Sequence, residues 1–365
     1  MTIRIELLSE KSDEEYEEMH RSVEHSLLCG SVKYRNFLKR VIVQGEPQYL
    51  VAYEANRLVG GFPLFLKRNQ KYGNVLNSLP FFGSNGGIVV SDFASKKDNI
   101  KKVLLEGMHS LAEQESVVTS TIVSNPLAND ADFYESHACH SFRDKRIGQV
   151  SPLPVRREGI EELQYALFEM FHQKTRNCIR KAQKSGIVVT HSGSLEAMEI
   201  LASLHRQNLE AIGGLVKTWS VFKTIRETFV YDQDYRVYLA HKDGVAISAL
   251  LVFFYNYVAE YFTPASLESA RIYQPMSLLV YEGMQEAVCR GCRHWNWGGT
   301  WLTQPGVYQF KSRWGTVDHP YHYYIREYDE HRRLRQLERR TLLEEYPYFY
   351  VIPYDALISA GECSQ

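Results

Sequence analysis

No stretch at the start of the chain is apolar. "MTIRIELLSEKSDEEYEEMH" is charged throughout, so no secretory signal is expected. No internal run is long and uncharged either. The longest, "VAISALLVFFYNYVAEYF" (Val245–Phe262), contains Asn256 and Glu260 and follows the hairpin dipeptide Asp243-Gly244. It predicts two buried strands rather than a membrane span. A cytoplasmic protein with no transmembrane segment is expected, with peripheral membrane contact left open. An excess of one charge is missing too. The 42 Lys and Arg stand against 43 Asp and Glu, a net charge of -1, which excludes a global field for polyanions and leaves anion recognition to local clusters.

Cysteine is sparse: six are scattered at 29, 139, 178, 289, 292 and 363. They read as reduced thiols. Cys289-x-x-Cys292, with His294 close by, has no second ligand pair at zinc spacing, and it closes a helix where a redox pair would open one. Packing is its expected role; no metal and no tightly bound cofactor are expected. "SLPFFGSNGGIVV" (Ser78–Val90) lacks the Lys and spacing of a phosphate-binding loop or a dinucleotide fingerprint, so a plain turn and a substrate loop both fit. No Ser/His/Asp or Cys/His nucleophile signature is present.

What is present is length, 44% hydrophobic residues and an internal echo. At 365 residues two domains are the natural expectation. "QYLVAYEANRLVGGFPLFLKRN" (Gln48–Asn69) and "YRVYLAHKDGVAISALLVFFYN" (Tyr235–Asn256) both run strand, turn, strand. Each follows helix-period segments and precedes another strand and a long helix, Ala94–Glu115 in one half and Pro275–Arg290 in the other. The pattern predicts an α+β chain with mixed sheets in two tandem domains. The prolines of "SPLPVRREGIEEL" (Ser151–Leu163) set a boundary near residue 155, giving domains 1–155 and 156–326. "REYDEHRRLRQLERRTLLEEYPYF" (Arg326–Phe349) predicts an exposed helix laced with ion pairs.

Two stretches carry cations without carboxylates. In "FHQKTRNCIRKAQKSG" (Phe171–Gly186), apolar residues at Leu163, Leu167, Phe171, Cys178 and Ala182 predict one helix from Leu163 to Ser185. Arg176, Arg180 and Lys184 form a ridge on its other face. Like charges four apart repel, and no Asp or Glu occurs between Met170 and Leu195. An external anion or an acidic face would relieve the ridge, and part of the charge suits the helix C-terminus. The second stretch, "AVCRGCRHWNWGGTWLTQPGVYQFKSRWGTV" (Ala287–Val317), is also acid-free. Gly298-Gly299 after a strand admits close approach of a ligand, and Phe310-Lys311 puts a cation beside an aromatic ring.

Together these pieces resemble the FemAB-like branch of the GNAT acyltransferase superfamily. "KTRNCIRKAQKSGIVV" is similar to its Lys-x-Arg-Asn-x-Ile-x-Lys-Ala helix, and "QPGVYQFKSRWG" to its closing Gly-x-x-x-Phe-Lys-x-x-Phe/Trp-Gly element. "YFTPASLESARIYQPMSLLVYEGMQEAVCRGCRHWNWGGT" looks like its strand, helix and strand. The resemblance implies two tandem GNAT-like domains, with residues 327–365 returning to the first. It implies an N-acyltransferase or aminoacyltransferase of cell-wall or surface-polysaccharide type. Such an enzyme acts on the amine of a nucleotide- or lipid-linked precursor, with aminoacyl-tRNA or acyl-CoA as donor and tRNA as a candidate partner. Lys311 and Tyr261 take catalytic positions by this resemblance. Phe310, Lys33 and Arg35 take substrate-binding ones, while Arg176, Arg180, Lys184, Gly298 and Gly299 are expected to bind substrate from the two acid-free stretches themselves. Two departures stand out. "ESARIYQPMSLL" has no glycine where CoA-using relatives carry Gln/Arg-x-x-Gly-x-Gly/Ala, and the coiled-coil insertion of the cell-wall enzymes is missing. The alternative class is a non-catalytic protein that binds a phosphorylated sugar or RNA.

Overall fold

The computed structural model describes residues 3–82, 85–155, 159–211, 214–300 and 304–358. Gly83 and Ser84 of the glycine-rich loop lie outside the described residues, as does Cys363. The chain falls into two compact units, Met1–Arg146 with Pro320–Gln365, and Ile147–His319.

In chain order the first part holds β1 (Ile3–Leu7), α1 (Asp13–Ser22), α2 (Val32–Val41), β2 (Gly45–Pro47), β3 (Leu50–Glu54), β4 (Arg57–Phe62), β5 (Phe65–Lys67), β6 (Asn74–Asn77) and β7 (Val89–Val90). There follow α3 (Lys97–Gln114), β8 (Val117–Val123), α4 (Ala131–His137) and β9 (Phe142–Pro152). Next come α5 (Ile160–Met170), α6 (Gln173–Lys184), β10 (Val188–Ser192), α7 (Leu195–Glu210), α8 (Trp219–Thr228), β11 (Tyr235–Lys242), β12 (Val245–Tyr255) and β13 (Val258–Ser266). The chain then forms α9 (Pro275–Cys289), β14 (His294–Thr300), α10 (Pro305–Ser312), β15 (Val317–Glu327) and α11 (Arg339–Glu345).

Each unit is α+β and GNAT-like, and each repeats one motif: a parallel strand pair bridged by a long helix. In the first unit β6 and β8 are parallel, with α3 between them in sequence. In the second β13 and β14 are parallel across α9. The β3–β4 and β11–β12 hairpins complete the echo. Asp243 and Gly244 turn the second hairpin with φ of 50° and 79°, the left-handed pair its tight turn requires. Burial drives both cores. Ile100, Leu104, Met108 and Ala112 line the inner face of α3 in one, and Leu279, Met284, Ala287 and Val288 of α9 pack on Val252, Ala259 and Trp295 in the other.

Two helices expected from periodicity are corrected. The single helix over 163–185 is two, α5 and α6, because Phe171 leaves the helix with ψ of 142° and His172 caps α6 by accepting the Lys174 N–H at 3.1 Å. The helix over Arg326–Phe349 is β15, a single turn at Arg333–Gln336, and α11. The tyrosine-rich segment pairs instead with β8 as far as Glu327. Asp329 then accepts the backbone N–H groups of His331 and Arg333, at 3.2 and 2.9 Å, and turns the chain.

Candidate active site

In the second unit the parallel partners β13 and β14 stay in register only over Val258–Glu260 against His294–Asn296. Local chemistry separates them. Gly298 takes φ of 71° and gives its N–H to Asn296 Oδ1 at 2.9 Å, which turns β14, while β13 carries an irregularity opposite Leu251 and Val252. The opening is a cleft of about 810 Å³. Tyr261, Pro264 and Ser266 of β13, Trp297 of β14, Phe310 and Lys311 of α10, and Asn208 of α7 line it, together with Arg271 and the start of α9.

Lys311 is 6% exposed. Its Nζ donates to Thr300 Oγ1 at 2.9 Å and to the Gly299 carbonyl at 3.3 Å. Thr300 in turn donates to Gln149 Oε1 at 3.0 Å, and Gln149 Nε2 reaches the Tyr308 carbonyl at 3.3 Å, so the amine is held by a fixed polar chain. No carboxylate pairs with it among the described residues, and burial lowers its pKa to about 8. Such a group is a cation at neutral pH that a developing negative charge would stabilise.

The Tyr261 ring meets Trp297 at a tilted angle, centroids 4.9 Å apart, and burial raises its phenol well above the usual value. Glu260, one residue earlier, is a buried acid that the sequence reading passed over, next to the cleft-lining Tyr261 but not itself part of the lining. Its Oε1 is buried without a partner, Asn296 bonds to the carboxyl, and burial raises its pKa from 4.5 to about 8. The signal was an acid inside an otherwise apolar run; that it lies at the last paired position before the strands part is visible only in the fold.

The start of α9 forms another wall. Gln274 adopts the left-handed conformation, φ 59° and ψ 40°, and returns its Nε2 to the Arg271 carbonyl at 2.8 Å. Pro275 occupies the first turn. The backbone thus takes at Gln274 the turn that glycine usually supplies, and the helix end faces the cleft beside Arg271.

The two resemblance-bearing motifs meet in space. The His172 N–H and Thr175 Oγ1 both donate to the Arg313 carbonyl, at 2.9 and 3.1 Å, so the N-terminus of α6 anchors the end of α10. Trp314 packs against Phe171 and Trp297, with ring centroids 4.9 and 5.6 Å apart. Lys311, Tyr261 and Phe310 therefore share the cleft, with Gly298 and Gly299 shaping its strand. Arg176 and Arg180 line a different cavity, and Lys184 is exposed on the last turn of α6. Lys33 and Arg35 lie on α2 in the first unit, where the buried Arg35 guanidinium bonds both oxygens of Asp13 at 2.8 and 2.6 Å.

Residues 170–312 match the family model described as an acetyltransferase (GNAT) domain, from the end of α5 to the end of α10. The crystal structure of FemX is similar over 88% of this chain and 97% of its own, with a TM-score of 0.70 and 16% identity. The chain has the FemX fold, with a GNAT domain in its second unit. A tandem GNAT protein from the clavulanic acid biosynthesis pathway matches with a TM-score of 0.54 and 11% identity, over 89% of this chain and 98% of that one. The C-terminal domain of a putative lysylphosphatidylglycerol synthetase from Agrobacterium fabrum matches with a TM-score of 0.54 and 12% identity, over 91% and 96%. No curated protein matches in sequence. Among the described residues no helix is long and apolar enough to cross a membrane.

Proposed function

We propose that the FemAB-like fold here serves an acyltransferase that joins an acyl or aminoacyl group to an amine of a phosphorylated or nucleotide-linked precursor. The observation that carries this is the parting of β13 and β14 beside a buried lysine with no carboxylate partner. An activated carbonyl inserted there needs no protein nucleophile. The amine nitrogen attacks the carbonyl carbon, the ester C–O or thioester C–S bond breaks, and the amine proton leaves for a base and ends on the leaving group.

Lys311 supplies positive charge where the tetrahedral oxygen forms, held in place by Thr300 and Gln149. Tyr261, which lines the cleft, orients the reacting groups. The helix end at Gln274–Ser277, with Arg271, meets the phosphate of the donor. Because Pro275 lacks an N–H, this cradle offers fewer donors than a glycine loop, which favours a donor held by few backbone contacts.

The test is product formation, followed by mass spectrometry, with acyl-CoA and aminoacyl-tRNA as alternative donors and UDP-linked amino sugars or muropeptides as acceptors. An amide product with either donor supports the proposal and names the donor. Hydrolysis or silence with every pair contradicts it.

A further inference from the structure

The second unit holds another cavity, of about 400 Å³, with no residue in common with the cleft. It lies where α5 and α6 meet α9, and three aromatic rings and two guanidinium groups dominate its wall. Tyr165 is 69% exposed, although it stands over a concave surface where an apolar ring would ordinarily be covered. Phe168 and Tyr281 meet edge to face behind it, with centroids 5.2 Å apart.

The cations outnumber the anions the protein supplies to them. Arg180 lies 5.3 Å above the Phe168 ring, which fixes its plane, and no carboxylate pairs with it among the described residues. Arg176 gives one N–H to the Phe168 carbonyl at 3.3 Å and one to Gln173 Oε1 at 2.8 Å, while its Nε is buried with no partner. The Glu169 carboxylate, 3.9 Å from Arg176, also lines the cavity, so two guanidiniums face one carboxylate. Gln183 adds an exposed amide at the edge, able to donate and accept toward a base.

A planar ring face, fixed guanidiniums and an amide on one wall are the elements that hold one unit of single-stranded nucleic acid. We infer that this cavity binds a nucleotide, its base stacked on Tyr165 and its phosphate held by Arg180 and Arg176. The site stands apart from the cleft and does not depend on the chemistry proposed there. It accounts for the acid-free sequence of α6: the ridge at 176 and 180 is balanced by the ligand's phosphate rather than by Glu on the helix.

The full-length protein is tested by fluorescence anisotropy with a 5′-labelled single-stranded tetraribonucleotide at low salt. Unlabelled competitors are a nucleoside 5′-monophosphate, the nucleoside alone and inorganic phosphate. The wild type binds, and the monophosphate competes better than either of its parts. Tyr165→Ala and Arg180→Gln each weaken binding by about tenfold, an effect of the size expected for one stacked base or one phosphate contact. Both residues are exposed, so an unchanged melting temperature shows that the variants fold. Much tighter binding of the tetranucleotide than of the monophosphate identifies an RNA strand as the source; equal binding identifies a free nucleotide. No binding by any probe, competition by inorganic phosphate equal to that by the nucleotide, or full binding in both variants overturns the inference.

Discussion

Burial shifts a lysine and a glutamate in opposite directions, Lys311 down and Glu260 up, to a pKa of about 8 in each case. Lys311→Met keeps the volume and removes the charge. We expect kcat to fall about a hundredfold, as when an oxyanion donor is removed, while stability holds or rises because a buried amine without a carboxylate partner is gone. Steady-state kinetics and thermal melting check the two halves separately. Glu260 binds its proton more tightly in the fold than unfolded, so its contribution is complete below pH 4.5 and is lost as pH rises to about 8. Glu260→Gln lacks that dependence. Its melting temperature relative to wild type should climb between pH 4.5 and 8 and then level off; a flat difference across that window would remove the buried carboxyl from the picture. Lys311, Tyr261 and Phe310 were legible in the sequence because they sit inside recognisable motifs. Glu260 was visible only as an acid in an apolar run, since its role depends on register with Asn296, a partner 36 residues away.

At the level of elements, the helices that carry motifs prove to be supports for one another. Gly315 closes the α10 motif with φ of 70°, and a Cβ there would lie 2.9 Å from the Met170 carbonyl. Gly315→Ala should cost about 2 kcal/mol or more, the left-handed penalty plus a backbone clash. Gly298→Ala, with nothing within 4 Å of its Cβ, should lose only the conformational part, about 1 kcal/mol. Denaturant unfolding of the two variants distinguishes these costs, and equal losses would show that the α5–α10 contact contributes nothing. The hairpins and the long helices α3 and α9 were readable from turn chemistry and periodicity. The break between α5 and α6 was not, because Phe171 and Cys178 keep the helical period across it; the cap at His172 and the bonds to Arg313 decide it. The C-terminal segment misled for a similar reason. Its ion pairs, Arg333 with Asp329 and Arg340 with Glu344, are real, but they sit on a single turn and a short helix rather than one long helix.

For the whole molecule, the repeated strand, hairpin and helix order gave the tandem α+β plan, since each copy buries an apolar helix on its own sheet. Net charge near zero directs attention to local cations, and these are in separate places: Lys311 lines the cleft, while Arg176 and Arg180 line a second cavity. What a sequence pattern does not show is where parallel strands lose register, and that opening is what makes an acyltransferase fold into a candidate enzyme. The decisive measurement is therefore the rate of amide formation by wild type and Lys311→Met with each activated donor, at equal folded concentration and pH 7. The proposal predicts product from the wild type with at least one donor and a rate about a hundredfold lower in the variant. A variant that forms product as fast as the wild type would contradict it.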